Sequence, residues 1–183
     1  MTADSLIDRD VPCLGCGYNL RGLTIVHRCP ECELPALRSY LFTISGGDRW
    51  RRLPNGTLLL DMRKVSSVLT ELLACDANAI RFVATCIVQA SKEAGNPSDV
   101  PPLMSARRLR DMIRAVALAH FGDAAQARAG LQNLGLERSE DVGRIVAALI
   151  ESGLFNAADE ESPSDFDGMF TLDTLFPETT EHG

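Results

Sequence analysis

The sequence predicts a mainly α protein: a helical bundle, its C-terminal part patterned like a helix-turn-helix, joined to a small N-terminal β-hairpin knotted by cysteines. Three observations predict this. Apolar residues make up 45% of the 183, yet aromatics only 5%. The core must therefore be Leu, Ile, Val and Ala, which favours packed helices over a large sheet. Apolar residues also recur at helical spacing in segments punctuated by Gly and Pro. Finally, Cys13-Leu14-Gly15-Cys16 is followed, twelve residues on, by Cys29-Pro30-Glu31-Cys32, the spacing of a four-sulfur metal site.

Residues 1–10 are polar and acidic and read as a flexible arm, with no apolar segment of the signal-peptide kind. Residues 11–36 read as the metal module. Each Cys-x-x-Cys turn sets two sulfurs on one side of a tight knuckle, and two facing knuckles complete a tetrahedron around one ion. Gly17 follows the second cysteine, where a positive φ lets backbone N–H groups approach the sulfurs. Pro30 pre-sets φ in the second turn. Glu33 stands where glycine is easier and strains that knuckle. Leu23-Thr24-Ile25-Val26-His27 is β-prone and suits the returning strand of the hairpin.

Cys13, Cys16, Cys29 and Cys32 are thus the expected ligands of one Zn2+, with no open position for catalysis. A disulfide pair lacks the secretory context, and a redox dithiol lacks the βαβ setting. Iron is the serious rival. The openings Cys13–Tyr18 and Cys29–Cys32 resemble rubredoxin knuckles, although the chain has no Glu-x-x-His motif of a di-iron bundle. The runs Cys-Leu-Gly-Cys-Gly-Tyr-Asn-Leu-Arg-Gly from Cys13 and Arg-Cys-Pro-Glu-Cys from Arg28 also resemble zinc ribbons of many bacterial proteins. That resemblance implies a structural zinc site and no particular process.

Residues 37–56 read as a connector. Leu41–Ile44 forms a short strand in this reading, and Asp48 caps a short helix to Leu53 that Pro54-Asn55-Gly56 breaks. Residues 57–176 read as the helical domain. Its first helix runs from Thr57 to Cys75, with Leu58, Met62, Val65, Leu69, Leu72 and Leu73 on one stripe. The next runs to Ala94, with Ile80, Val83, Ile87 and Ala90 on one face and Phe82 and Cys86 beside it. Asn96–Pro102 is a loop. Ser105 caps a helix through His120, Asp123 caps another to Leu134, and Ser139-Glu140-Asp141 opens the last regular helix, with Gly153 closing it. Phe166, Phe170, Leu172, Leu175 and Phe176 fold back onto the bundle. Residues 177–183 read as a disordered tail.

Within residues 78–176 the runs Phe121–Ala125, Leu134–Leu136, Asp141–Val146 and Ser164–Phe166 resemble an uncharacterised bacterial helical family. The resemblance implies a fold unit and no activity.

The net charge of −7 is unevenly spread. Residues 41–120 hold eleven Lys and Arg against seven Asp and Glu, a net of +4; residues 121–183 hold three against thirteen, a net of −10. Arg49, Arg51, Arg52, Arg107, Arg110 and Arg114 are the candidate contacts for nucleic acid or another partner, with Arg108 beside them. Pairing between the basic middle and the acidic C-terminal part competes with that reading. A helix-turn-helix of the helices at 105–120, 124–134 and 139–152, winged by 154–176, carries a net negative reading helix, which suits phosphate poorly. His27, His120 and His182 form no constellation, no nucleophile elbow or phosphate loop is present, and Cys75 and Cys86 read as buried hydrophobes. Catalysis and a small-molecule substrate are therefore not indicated. The expected protein is cytoplasmic, free of membrane spans, and a structural zinc-binding module for a protein partner, with nucleic-acid binding as the alternative.

Overall fold

Helix α3, Ala77–Glu93, sits at the centre of the described helices. The computed structural model describes residues 6–44, 62–93, 103–152, 155–157 and 163–177, with the backbone alone at 62–65, 103–104, 156–157 and 163–164. Ile80, Val83, Ile87 and Ala90 are buried on one face of α3, and so are Phe82 and Cys86 beside them. Two buried faces suit a helix with neighbours on both sides. Those neighbours are α2 (Met62–Leu73), α4 (Ala106–Phe121) and α6 (Ser139–Glu151). Asp76 starts α3, its carboxylate accepting from the Asn78 N–H at 2.6 Å.

The helix boundaries follow from capping chemistry. The Ser105 hydroxyl accepts from the Arg108 N–H, and Gly122, at φ 113°, returns its N–H to the Leu118 carbonyl and ends α4. Asp123 and Gln126 form a reciprocal capping box at the start of α5, Ala124–Asn133. Gly135 ends it in a Schellman turn. Its N–H bonds to the Gln132 carbonyl, and that of Leu136 to Leu131. α2 ends without a glycine, at Ala74 with φ 50°.

After α6, β2 (Asn156–Ala157) pairs in parallel with β1 (Leu103–Met104). A single 3-10 turn at Pro163–Phe166 and the short α7, Leu172–Leu175, follow. Phe166, Phe170, Leu172, Leu175 and Phe176 are all buried, so this segment does fold back onto the bundle. It is fastened at the start of α6. Ser139 exchanges bonds with the backbone of Phe170, and Glu140 accepts from the Gly168 N–H. The described part of 154–176 is thus a parallel bridge, a 3-10 turn and a short helix rather than a hairpin wing.

Three expectations need correction near the N-terminus. Leu41–Ile44 is not a strand; it closes helix α1, Ala36–Ile44. Ala36, Leu37, Tyr40 and Leu41 fall on one buried stripe, and that spacing overrides four β-prone residues. Leu23–His27 makes no returning strand. Thr24 forms an isolated bridge with Leu6, and the chain turns at once, the His27 N–H bonding to the Thr24 carbonyl. The hairpin is therefore reduced to single bridges, because the knuckles consume the hydrogen bonds that a ladder would use. Residues 6–10 are not a loose arm either. Ile7 is buried, donates to Leu23 and accepts from Gly22.

The Asp48–Leu53 helix, Leu58, the Asn96–Pro102 loop, Gly153 and residues 178–183 lie outside the described residues. No helix among the described residues is long and apolar enough to cross a membrane.

Candidate metal centre

Two turns of unlike sequence place the four cysteines. In the first, the Cys13 N–H donates to the Tyr18 carbonyl and the Gly17 N–H to the Cys13 carbonyl, both at 2.8 Å. In the second, the Cys29 N–H donates to Leu34 at 2.8 Å and the Glu33 N–H to Cys29 at 2.9 Å. Single antiparallel bridges close both, Pro12 to Asn19 and Arg28 to Pro35. The two knuckles share one hydrogen-bond pattern, offset by the same step in sequence.

The sulfurs converge. All four Sγ atoms lie within 4.8 Å of one another, and Cys13–Cys32 and Cys16–Cys29 approach to 3.5 Å across the knuckles. An ion bonded to four sulfurs at about 2.3 Å sets them about 3.8 Å apart, and a disulfide needs about 2.05 Å. All four cysteines are free thiols. They are therefore positioned to bind one metal ion, with two ligands from each turn. Cys13 and Cys29 are buried, and Cys16 and Cys32 face solvent.

The site's electrostatics follow from crowding. Burial raises the Cys13 thiol, but N–H groups of Cys16 and Gly15 and the sulfurs of Cys32 and Cys29 outweigh it and bring it to about 7. The Tyr18 N–H lowers Cys16, yet lost hydration and the three other sulfurs push it up to about 12. Cys32 is also raised: the Leu34 N–H lowers it, but the Cys13 sulfur and burial prevail. A cation resolves this competition by replacing the protons, which is the chemistry of a thiolate metal site.

The surroundings explain the motif residue by residue. The Asn19 side-chain carbonyl accepts from the N–H groups of Val11 and Arg21, and its amide donates to Asp10. Leu20 is buried, and Gly22 turns at φ 83°. Tyr18 and Arg21 are exposed, and Arg21 pairs with Asp10 at 3.5 Å. Hydrogen bonding to Asn19 and Arg21 holds Asp10 below the usual carboxylate range.

Two supporting residues were missed in the sequence. A Cβ on Gly15 would stand 2.9 Å from the Cys32 sulfur, so only glycine leaves room for that ligand. Ser39, fully buried on α1, accepts the Leu14 N–H through its hydroxyl at 3.1 Å. The close approach across the site has no sequence signal. A serine among the apolar residues of α1 was the available hint for the second.

The arginine candidates separate. Arg49, Arg51 and Arg52 lie outside the described residues. Arg107 is exposed, Arg110 pairs with its neighbour Asp111 at 2.6 Å, and Arg114 donates to the Leu175 carbonyl at 3.1 Å. Two ion pairs of the acidic part are internal to it, Arg128 with Asp173 and Arg144 with Asp141. His27 is exposed between the two knuckles, and His120 lies on α4 against Phe121. Burial raises the thiols of Cys75 and Cys86, the latter to about 12, so both are packing residues rather than activated nucleophiles. No protein-family model, curated protein or solved structure matches this chain.

Proposed function

We propose that this protein is a structural zinc-binding module that serves a protein partner and carries no catalysis at the metal. The convergence of four thiol sulfurs within 4.8 Å carries the metal part. Four thiolates fill a tetrahedron and leave no position for substrate or water. Zinc is preferred to iron because the ion here has only to hold two turns together, and zinc has no redox chemistry to manage. The resemblance of residues 13–32 to bacterial zinc ribbons points the same way; the likeness of residues 78–176 to a helical family adds no activity.

The distribution of exposed apolar side chains supports the partner. Leu6, Leu14, Tyr18 and Val26 stand out from the ribbon, against Val88 alone from the described helices. In this reading they are the apolar residues that a partner would cover on docking. Among the described arginine candidates, Arg110 already has a carboxylate partner within the chain, which favours a protein over nucleic acid.

Metal analysis of the purified protein tests the first part, with one zinc per chain expected and iron in its place contradicting it. A photo-crosslinker at Tyr18 tests the second. One defined protein should be captured in proportion to the bait, and capture should be lost when Val26 is changed to Ser. Salt-sensitive binding to mixed DNA or RNA instead would select the nucleic-acid alternative.

A further inference from the structure

A second site lies away from the cysteines, where α3, α4 and the end of α5 meet. A cavity of about 420 Å3 opens there, within the size range of small-molecule sites. Half of its lining residues are apolar. Buried Phe82 and half-buried Val116, Phe121 and Leu134 line it. The Phe82 and Phe121 rings stack with centroids 6.2 Å apart, and His120 meets Phe121 edge-on at 4.7 Å. The Phe121 wall is set by a glycine. A Cβ on Gly130 would stand 2.5 Å from that ring, so α5 leaves room for it to lie flat.

The fixed charge on the rim is the Arg81 guanidinium. Arg81 and His120 line the cavity, and no described lining residue is a carboxylate, although the chain as a whole carries −7. The Arg81 guanidinium donates to the side-chain carbonyl of Asn78 at 3.3 Å, a neutral partner that leaves its charge uncompensated at that contact. The same bond leaves the Asn78 amide N–H group as a further donor. A guanidinium, an amide donor, an imidazole and an aromatic wall match a planar anion on a flat apolar body.

We propose that this cavity binds a small aromatic carboxylate, its ring against Phe121 and its carboxylate met by Arg81 and His120. The site is independent of the metal, and it gives the helical body a ligand that the sequence did not indicate.

Titration of the full, metal-loaded chain with naphthalene-2-carboxylate, followed by amide NMR, tests it. The probe should saturate, shift the amides of Phe82, His120 and Phe121, and bind at least about tenfold tighter than neutral naphthalene-2-methanol. Arg81→Gln should weaken the carboxylate about tenfold and leave the alcohol unchanged. Thr85→Trp, which fills the cavity from an exposed lining position, should abolish both, and Arg107→Gln on the exposed side of α4 should change neither. Equal affinity for acid and alcohol, an unchanged Arg81→Gln variant, shifts mapping to the Arg110–Arg114 surface, or no saturation by about 10 mM would each overturn the proposal.

Discussion

Residues 12–19 and 28–35 fold into the same turn from different sequences, and each difference has a local cause. The first knuckle reads Leu14-Gly15 between its cysteines and Gly17 after them; the second reads Pro30-Glu31 and then Glu33. Leu14 offers an N–H that Ser39 accepts from α1. Pro30, at the matching place, has no N–H and needs no acceptor. Gly15 is a glycine because the Cys32 sulfur occupies the space of its side chain. Gly17 is one for another reason. Nothing lies within 4 Å of its would-be Cβ, but its φ is 78°. Glu33 holds the matching place at φ 59° without that freedom. Its carbonyl accepts from the Arg28 guanidinium at 3.0 Å, which ties the strained turn down. One side of the site is fixed by packing against a helix, the other by its own residues.

The largest test of this pairing is to remove one ligand from either side. Cys16→Ser and Cys29→Ser should release the metal to the same degree, since each removes one sulfur of a facing pair. Structural zinc contributes about 10–16 kcal/mol of apparent binding energy, against about 1.5–3 kcal/mol for burying a side chain such as Ile7 or Leu20. The ribbon should therefore unfold in both variants and with a strong chelator. The helices should keep most of their far-UV circular dichroism, because α3 is packed by α2, α4 and α6. Retention of one zinc per chain by either variant would sink the four-ligand assignment.

The pH dependence comes next, and both knuckles contribute to it. Cys16 of the first and Cys32 of the second have raised thiol pKa values when no ion is bound, so at neutral pH the metal must displace their protons. Lowering the pH strengthens the competing protons, so affinity falls as pH falls. At least two displaced protons give a loss of at least about 100-fold per pH unit between pH 8 and 7, and more below 7 as Cys13 takes up its own. Competition with a chromogenic chelator across that range reads the slope. A pH-independent affinity would mean that the sulfurs are already ionised without the metal.

Gly15→Ala should cost less than a ligand but more than an ordinary surface change. The added methyl displaces the Cys32 sulfur, and residues supporting a metal ligand typically matter about 10- to 100-fold in affinity. Glu31→Ala at the matching position of the second knuckle, an exposed residue, should leave affinity within about twofold. Equal losses at the two positions would show that the knuckles are more alike than their sequences.

What was legible in the sequence divides along the same line. The cysteine spacing gave the cluster of four sulfurs because knuckle geometry is local. Ser105, Asp123 and Gly135 gave helix ends because caps are also local. Glu33 was recognised as strained for the same reason, and its φ is positive. The contacts that depend on distant residues were not legible. Ser39 meets Leu14 across 25 positions, Gly15 meets Cys32, and Ile7 is held by Leu23. Leu41–Ile44 shows the converse. β propensity read over four residues lost to burial of a stripe that began at Ala36. The cavity beside Arg81 is of the long-range kind too, since α3, α4 and α5 each supply part of it.

The smallest effect is an exchange between the two positive-φ positions. Left-handed backbone costs a residue with a Cβ about 1–2 kcal/mol, and glycine returns about 0.4–1 kcal/mol of that through the entropy of the unfolded chain. Glu33→Gly should therefore stabilise the metal-bound ribbon by roughly 0.5–1 kcal/mol, and Gly17→Ala should destabilise it by about as much. Both bonds at Glu33, its N–H to Cys29 and its carbonyl to Arg28, are made by backbone atoms and survive the change. Because folding and metal binding are coupled in a module this small, each change appears as roughly a two- to fivefold shift in zinc affinity, in opposite directions. Chelator competition on the two variants reads both. A loss of affinity in Glu33→Gly would mean that the glutamate side chain contributes to the ribbon through contacts outside the turn, and that the second knuckle is not merely a strained copy of the first.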